Sequence, residues 1–251
     1  MHTKLMVFIF ISFFSYATCN ATSNIEYLEF KAVTRYKEAY EKVSQTNKIA
    51  GFELPITDQE KYLLKKLQIP KNDSLRIENL NNIDNIAKEI YHFFSKTNNN
   101  LVSKNVTKII IRLTQIISSV NNSNELKLWI VHSNPNELKD NFELPNWHYD
   151  RKNKTKYKNI ITLIGPSTLF LECKSESTYK EIIDDLKSPK SYSRLYINNK
   201  IQQFIKNDFC KQIQMPNNYV TIFPTTYFPN PTIHSEPYID CPRLFISISV
   251  M

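Results

Sequence analysis

His148 and Asp150 stand two residues apart in Trp147-His148-Tyr149-Asp150, and His234 and Arg243 follow toward the end of the chain. Two imidazoles and one carboxylate on one face of a divalent metal leave the opposite positions open, which is what a non-haem Fe(II) needs to take up a co-substrate and O₂. Side chains two apart in a strand point the same way, so a His-x-Asp step can supply two ligands from one short strand. The third ligand must arrive from a distant strand, and Pro229-Asn230-Pro231-Thr232-Ile233 delivers His234 into one. Arg243 heads the apolar run Leu244 to Val250. A guanidinium there can bind a carboxylate through two parallel hydrogen bonds, or form a structural salt bridge.

These residues need strands to carry them. Short stretches rich in β-branched and aromatic residues, separated by turns, predict mostly antiparallel strands at 108–116, 126–132, 147–150, 160–172, 219–223 and 244–250. In the first of these, Ile109-Ile110-Ile111 with alternation at Arg112 and Thr114 favours a strand, with helix as the alternative. Gly165 with Pro166 predicts a forced turn between two strands. Residues 177–186 and 197–207 read as helical excursions or a lid.

The first half reads as helical. Ile25, Leu28, Val33, Tyr36, Tyr40 and Val43 recur at near-helical spacing behind a Ser23/Glu26 capping box, predicting a helix over 24–46. Thr57 and Glu60 repeat the box before Leu63 and Leu67, with Pro70 as a stop, and Ile83, Ile86, Ile90 and Phe94 mark a third helix. Together these patterns predict an α+β chain. A helical N-terminal segment (22–101) packs on the outer face of a C-terminal β-sandwich or jelly roll (102–251).

Ahead of both, Lys4, the apolar run Leu5 to Tyr16 and the small residues Ala17, Cys19 and Ala21 read as a secretory signal peptide over 1–21. Cleavage fits after Ala21 or after Ala17, and the run is too short to span a bilayer. The expected mature protein is exported and not transmembrane, with about 230 residues and room for a sizeable core. The formal charge of +8 reads as a solvated surface, and export disfavours nucleic acid as a partner. The basic run Arg151 to Lys158 reads as a hairpin tip, or, beside a pocket, as a field that steers an anionic substrate or co-substrate. An oxidising compartment permits one disulfide among Cys173, Cys210 and Cys241, with the pairing open.

In its His-x-Asp step, distal His and following Arg, the stretch 102–251 resembles the Fe(II)/2-oxoglutarate-dependent dioxygenase superfamily, whose fold is a double-stranded β-helix. Leu163 to Phe170 also resembles a stretch in an uncharacterised bacterial branch with this pattern. Phe245 stands where the pattern often has Ser, two residues after the arginine. The resemblance implies that His148, Asp150 and His234 bind Fe(II) and that Arg243 pairs with the distal carboxylate of 2-oxoglutarate. Oxidative decarboxylation to succinate would then drive hydroxylation or demethylation of a small molecule or protein. Thr162 or Tyr157 is the candidate for a further hydroxyl on the co-substrate carboxylate. Two other readings stay open: a non-catalytic exported β-sandwich binding protein, and a cupin-like metal protein that does not use 2-oxoglutarate.

Overall fold

The computed structural model describes residues 30–46, 48–69, 74–78, 80, 82–121, 126–133, 146–151, 154–188, 194–237 and 241–251. The expected signal peptide and the Ser23/Glu26 capping box lie outside the described residues.

Eight strands form the frame: β3 (Leu126–Ser133), β4 (Asn146–His148), β5 (Tyr157–Ile164), β6 (Leu169–Cys173), β7 (Cys210–Gln214), β8 (Tyr219–Pro224), β9 (His234–Glu236) and β10 (Arg243–Val250). Apart from the consecutive pair β6–β7 they alternate between two sheets, in the orders β8-β5-β10-β3 and β4-β9-β6-β7, and every paired neighbour is antiparallel. That order is the double-stranded β-helix, or jelly roll. The turn at Gly165-Pro166 splits the 160–172 run into β5 and β6, as its residues predict.

Two further strands flank the first sheet. β1 (Ala50–Glu53) pairs with β8, and β2 (Ser74–Glu78) pairs with β3, giving the order β1-β8-β5-β10-β3-β2. Both come from the stretch read as helical, so the N-terminal segment supplies the two edges of the sheet as well as helices.

The helices α1 (Phe30–Thr46), α2 (Asp58–Leu64), α3 (Ile83–Ser95) and α4 (Asn100–Val120) cover the outer face of the six-stranded sheet. Tyr36, Ile86, Phe94 and Ile109 from the helices meet Ile161, Ile222, Leu244, Ile246 and Ile248 from the strands in one core. At about 1.5–3 kcal/mol for each fully buried large apolar side chain, this layer contributes more to the fold than any polar contact in it. The Thr57/Glu60 capping box forms, with Thr57 N–H donating to Glu60 Oε2 at 2.9 Å and Glu60 N–H to Thr57 Oγ1 at 3.2 Å.

The 108–116 run is helical, not a strand. It forms the middle of α4, which starts from an Asn99 cap accepting from Val102 N–H at 3.0 Å. Its β-branched residues are tolerated because the helix is enclosed on most sides, with Ile109, Ile110 and Ile111 all at 0% exposure. Thr114, taken as an alternating surface position, is also buried and donates its hydroxyl to Ile110 O at 2.9 Å. The helical signal was the polar stripe: Lys104, Lys108, Arg112, Gln115 and Ser118 recur every three or four residues.

Between β6 and β7 the chain makes a helical excursion, α5 (Glu176–Lys187) and α6 (Arg194–Lys206). Ile182, Ile183, Leu186 and Ile201 pack on the outer face of the four-stranded sheet against Trp147, Leu171 and Ile233. A disulfide joins Cys173 to Cys210 across the β6–β7 pair and closes the base of the excursion, while Cys241 is exposed and outside that bond.

Gly165 holds the turn with φ of +80°, and a Cβ there would lie 2.5 Å from Pro242 O and 3.0 Å from Arg243 Cα. Gly165→Ala is expected to cost about 1–3 kcal/mol through the left-handed backbone and this clash. Urea denaturation measures the loss, and a midpoint equal to wild type would contradict the close packing.

Candidate metal centre

The β4–β9 pairing sets His148 directly opposite His234, and the two rings stand with centroids 4.4 Å apart. Asp150 lies just past the end of β4, and its Oδ2 is 3.7 Å from His234 Nε2. One ligand atom from each of His148, Asp150 and His234 lies within 4.8 Å of the others. The three residues singled out from the sequence therefore converge, although Asp150 reaches the cluster from the loop and not from within a strand.

Each imidazole is held by its other nitrogen. His148 Nδ1 meets Asn146 O at 2.8 Å, and His234 Nδ1 meets Thr232 O at 3.1 Å. A carbonyl only accepts, so Nδ1 carries the proton in both rings and Nε2 is left with its lone pair for a metal. Burial pushes the His234 pKa down to about 3, against the opposing pull of Asp150, and keeps the ring neutral. Burial raises the Asp150 carboxyl, but its electrostatic interactions with His234 and with the Lys158 ammonium outweigh it and hold the group below its ordinary value. Lys158 Nζ reaches both carboxylate oxygens, at 3.0 and 3.3 Å. Two imidazoles and one carboxylate fit a divalent first-row ion with open positions.

Strand alternation decides which other residues share this space. On β5, Lys158, Ile160 and Thr162 face the second sheet, with Ile160 packing on Phe170 and Phe223 between the sheets. Thr162 is buried and sits opposite Phe245 in the β5–β10 register. Tyr157 has the other parity and lies in the helix-side core, with its ring 5.1 Å from Tyr40 and 5.1 Å from Phe228. Of the two hydroxyl candidates, only Thr162 is on the metal side, and the expectation for Tyr157 is corrected.

Arg243 is 2% exposed, the largest of the fully buried side chains. Its Nη2 donates to Thr168 Oγ1 at 2.9 Å, its guanidinium lies 4.6 Å from the centroid of the Phe245 ring, and its Nε has no hydrogen-bond partner. Among the described residues no carboxylate is within ion-pair distance of it. Burial lowers its pKa to about 10, with Glu236 acting in the other direction, so the group stays charged at neutral pH. A buried cation without an anion is costly, which marks this pocket as an anion site. Thr168 was not singled out from the sequence. It lies two residues before Phe170, the partner of His234 in the β6–β9 register, and so links the Arg243 pocket to the metal cluster. Its signal was its place beside Gly165-Pro166, where β5 turns back over Arg243.

No family model matches the chain, and no curated protein matches its sequence. Solved structures similar to it include a prolyl hydroxylase from Trichoplax adhaerens in complex with a hypoxia inducible factor peptide, at 7% identity and TM-score 0.43, covering 88% of this chain and 91% of that one. The Kdo hydroxylase KdoO, a non-haem Fe(II) α-ketoglutarate-dependent dioxygenase, is similar at 12% identity and TM-score 0.44, covering 92% and 87%. A prolyl-4-hydroxylase from Pseudomonas putida is similar at 8% identity and TM-score 0.41, covering 85% and 97%.

A histidine whose folded pKa lies below its unfolded value adds stability at pH above about 6.5, and that stability is lost as pH falls toward the folded pKa. The metal-free protein is therefore expected to lose up to about 1.4 kcal/mol per pH unit below pH ~6.5 on account of His234. His234→Gln should flatten this slope in urea midpoints taken across roughly pH 7 to 4. A parallel slope in the variant would show that another group is responsible.

Proposed function

We propose that the chain is a non-haem Fe(II)/2-oxoglutarate-dependent oxygenase that hydroxylates or demethylates its substrate. The observation that carries this reading is the pairing of two features in one inter-sheet space. The His148–Asp150–His234 cluster brings one ligand atom of each residue within 4.8 Å of the others, and a buried guanidinium with no carboxylate partner among the described residues is linked to it through Thr168 and β6. A purely structural metal needs no second anion site, and among the described residues no carboxylate pairs with Arg243.

When bound, Fe(II) with 2-oxoglutarate supplies the oxidising chemistry, in which the co-substrate is decarboxylated to succinate. The chain's own part is to bind, orient and exclude water. His148, Asp150 and His234 would hold the ion from one side. Arg243, with the Thr168 hydroxyl fixed on its Nη2, would receive the distal carboxylate, and its orphan Nε supports the fit of an anion there. Thr162, on the same face, is a further candidate to hydrogen-bond the co-substrate. Phe170, Phe223 and Ile160 form a dry wall beside His234, with the Phe223 ring centroid 5.0 Å from that of the imidazole.

Export is the second part of the proposal. It is supported by the apolar run between Lys4 and Ala17 and by the Cys173–Cys210 disulfide, which suits an oxidising compartment. Among the described residues no helix is long and apolar enough to cross a membrane.

Anaerobic addition of Fe(II) and then 2-oxoglutarate to the purified protein should give a visible metal-to-ligand charge-transfer band, absent in His148→Ala and weakened in Arg243→Ala. Metal retention with no response to 2-oxoglutarate would favour a cupin-like protein, and no metal uptake would leave a binding module. Thr168→Val should weaken 2-oxoglutarate binding by roughly three- to tenfold while leaving metal affinity unchanged, about the size of one ordinary hydrogen bond. Equal co-substrate affinity in that variant would remove Thr168 from the site.

A further inference from the structure

Lys158 lies beside the metal cluster and has no part in the proposed function. Its ammonium faces the inter-sheet space from β5 and is tied to both oxygens of Asp150, with the Lys158 side chain 15% exposed. If Asp150 gives one oxygen to a divalent ion, Lys158 keeps at most the other. A partly buried ammonium is then left beside a dication with half of its partner, an arrangement that an additional anion would stabilise. Glu236, a carboxylate on β9, is exposed and acts on Arg243. Among the described residues, no other carboxylate is within ion-pair distance of Lys158.

The segment leading into β5 is basic as well. Arg151, Lys154 and Lys156 are exposed on the segment leading into β5, and the sequence has no acidic residue between Asp150 and Glu172. Lys156 lies 5.4 Å from the centroid of the Tyr227 ring, while Arg151, bonded from Nη2 to Leu186 O and 5.5 Å from the Tyr149 ring, is held on the α5 side of the four-stranded sheet. A cluster of one sign beside a low-dielectric cleft concentrates ligands of the opposite sign.

We infer that the compound oxidised at this site carries a carboxylate or phosphate group, which Lys158 binds beside the metal. Lys158 is thus a specificity-determining residue, distinct from Arg243, which serves the co-substrate. The inference rests on the oxygenase reading and names its substrate class.

The test uses protein loaded anaerobically with Fe(II) and 2-oxoglutarate, titrated calorimetrically with matched probes. N-acetylglycine is compared with N-acetylglycinamide, and glycerol phosphate with glycerol. In at least one pair the anion should bind about tenfold more tightly than its neutral twin, a margin that collapses in Lys158→Met and returns in Lys158→Arg. Equal binding within both pairs, no binding by any probe, or a margin retained in Lys158→Met would overturn the inference. The charge-transfer band read in the same sample separates the two levels. A band with no anion preference defeats the substrate class alone, whereas the absence of a band in the wild type defeats this inference and the oxygenase reading together.

Discussion

Three residues of backbone pairing between β4 and β9 hold the site together. In that register His148 faces His234 across the ladder, and the flanking Asn146 and Thr232 carbonyls lock both rings by their Nδ1 protons. A slip of one residue would turn one imidazole to the opposite face of the sheet, because side chains alternate along a strand. Such short strands do not specify their own register. It is imposed from behind by Trp147 and Ile233, which lock into the α5–α6 packing, and by the hydrogen bond from Trp147 N–H to Asn198 Oδ1 at 3.2 Å. The excursion between β6 and β7 is thus a buttress for the ligand-bearing strands, whatever else it contacts.

The same alternation divides the whole sheet. On β10, Leu244, Ile246 and Ile248 belong to the core under the helices, while Arg243 and Phe245 turn toward the second sheet. One face is mainly apolar, and the other mixes charge with aromatic rings. Stability and chemistry are therefore assigned to opposite sides of the same strands. Neither need yield to the other.

The metal cluster was legible in the sequence because its chemistry requires a rare combination: a His-x-Asp step, a later His, and an arginine opening an apolar strand. The jelly roll was legible from short β-rich runs broken by turns, and the split at Gly165 from the one residue that tolerates the turn. What escaped was set by packing. The Ile109 to Ile111 run reads as a strand when its β-branched residues are weighed alone and as a helix only when the polar stripe from Lys104 to Ser118 is followed. β1 and β2 are four and five residues long and have little periodicity of their own, since their pairing depends on β8 and β3. Thr168 and Lys158 could not be distinguished from ordinary residues of their segments until the fold placed them against Arg243 and Asp150.

β1 and β2 also bear on how the borders of this sheet are closed off. Sheet borders expose rows of unsatisfied backbone donors and acceptors, and such borders recruit further strands from neighbouring molecules. Here the longer, more apolar β8 and β3 are shielded by two short strands, with Glu53 ending one and Arg76 and Glu78 pairing with each other in the other at 3.2 Å. A chain trimmed to begin at residue 102 would keep every ligand in its sequence yet present both bare borders. With α1 to α3 also gone, its expected failure is aggregation.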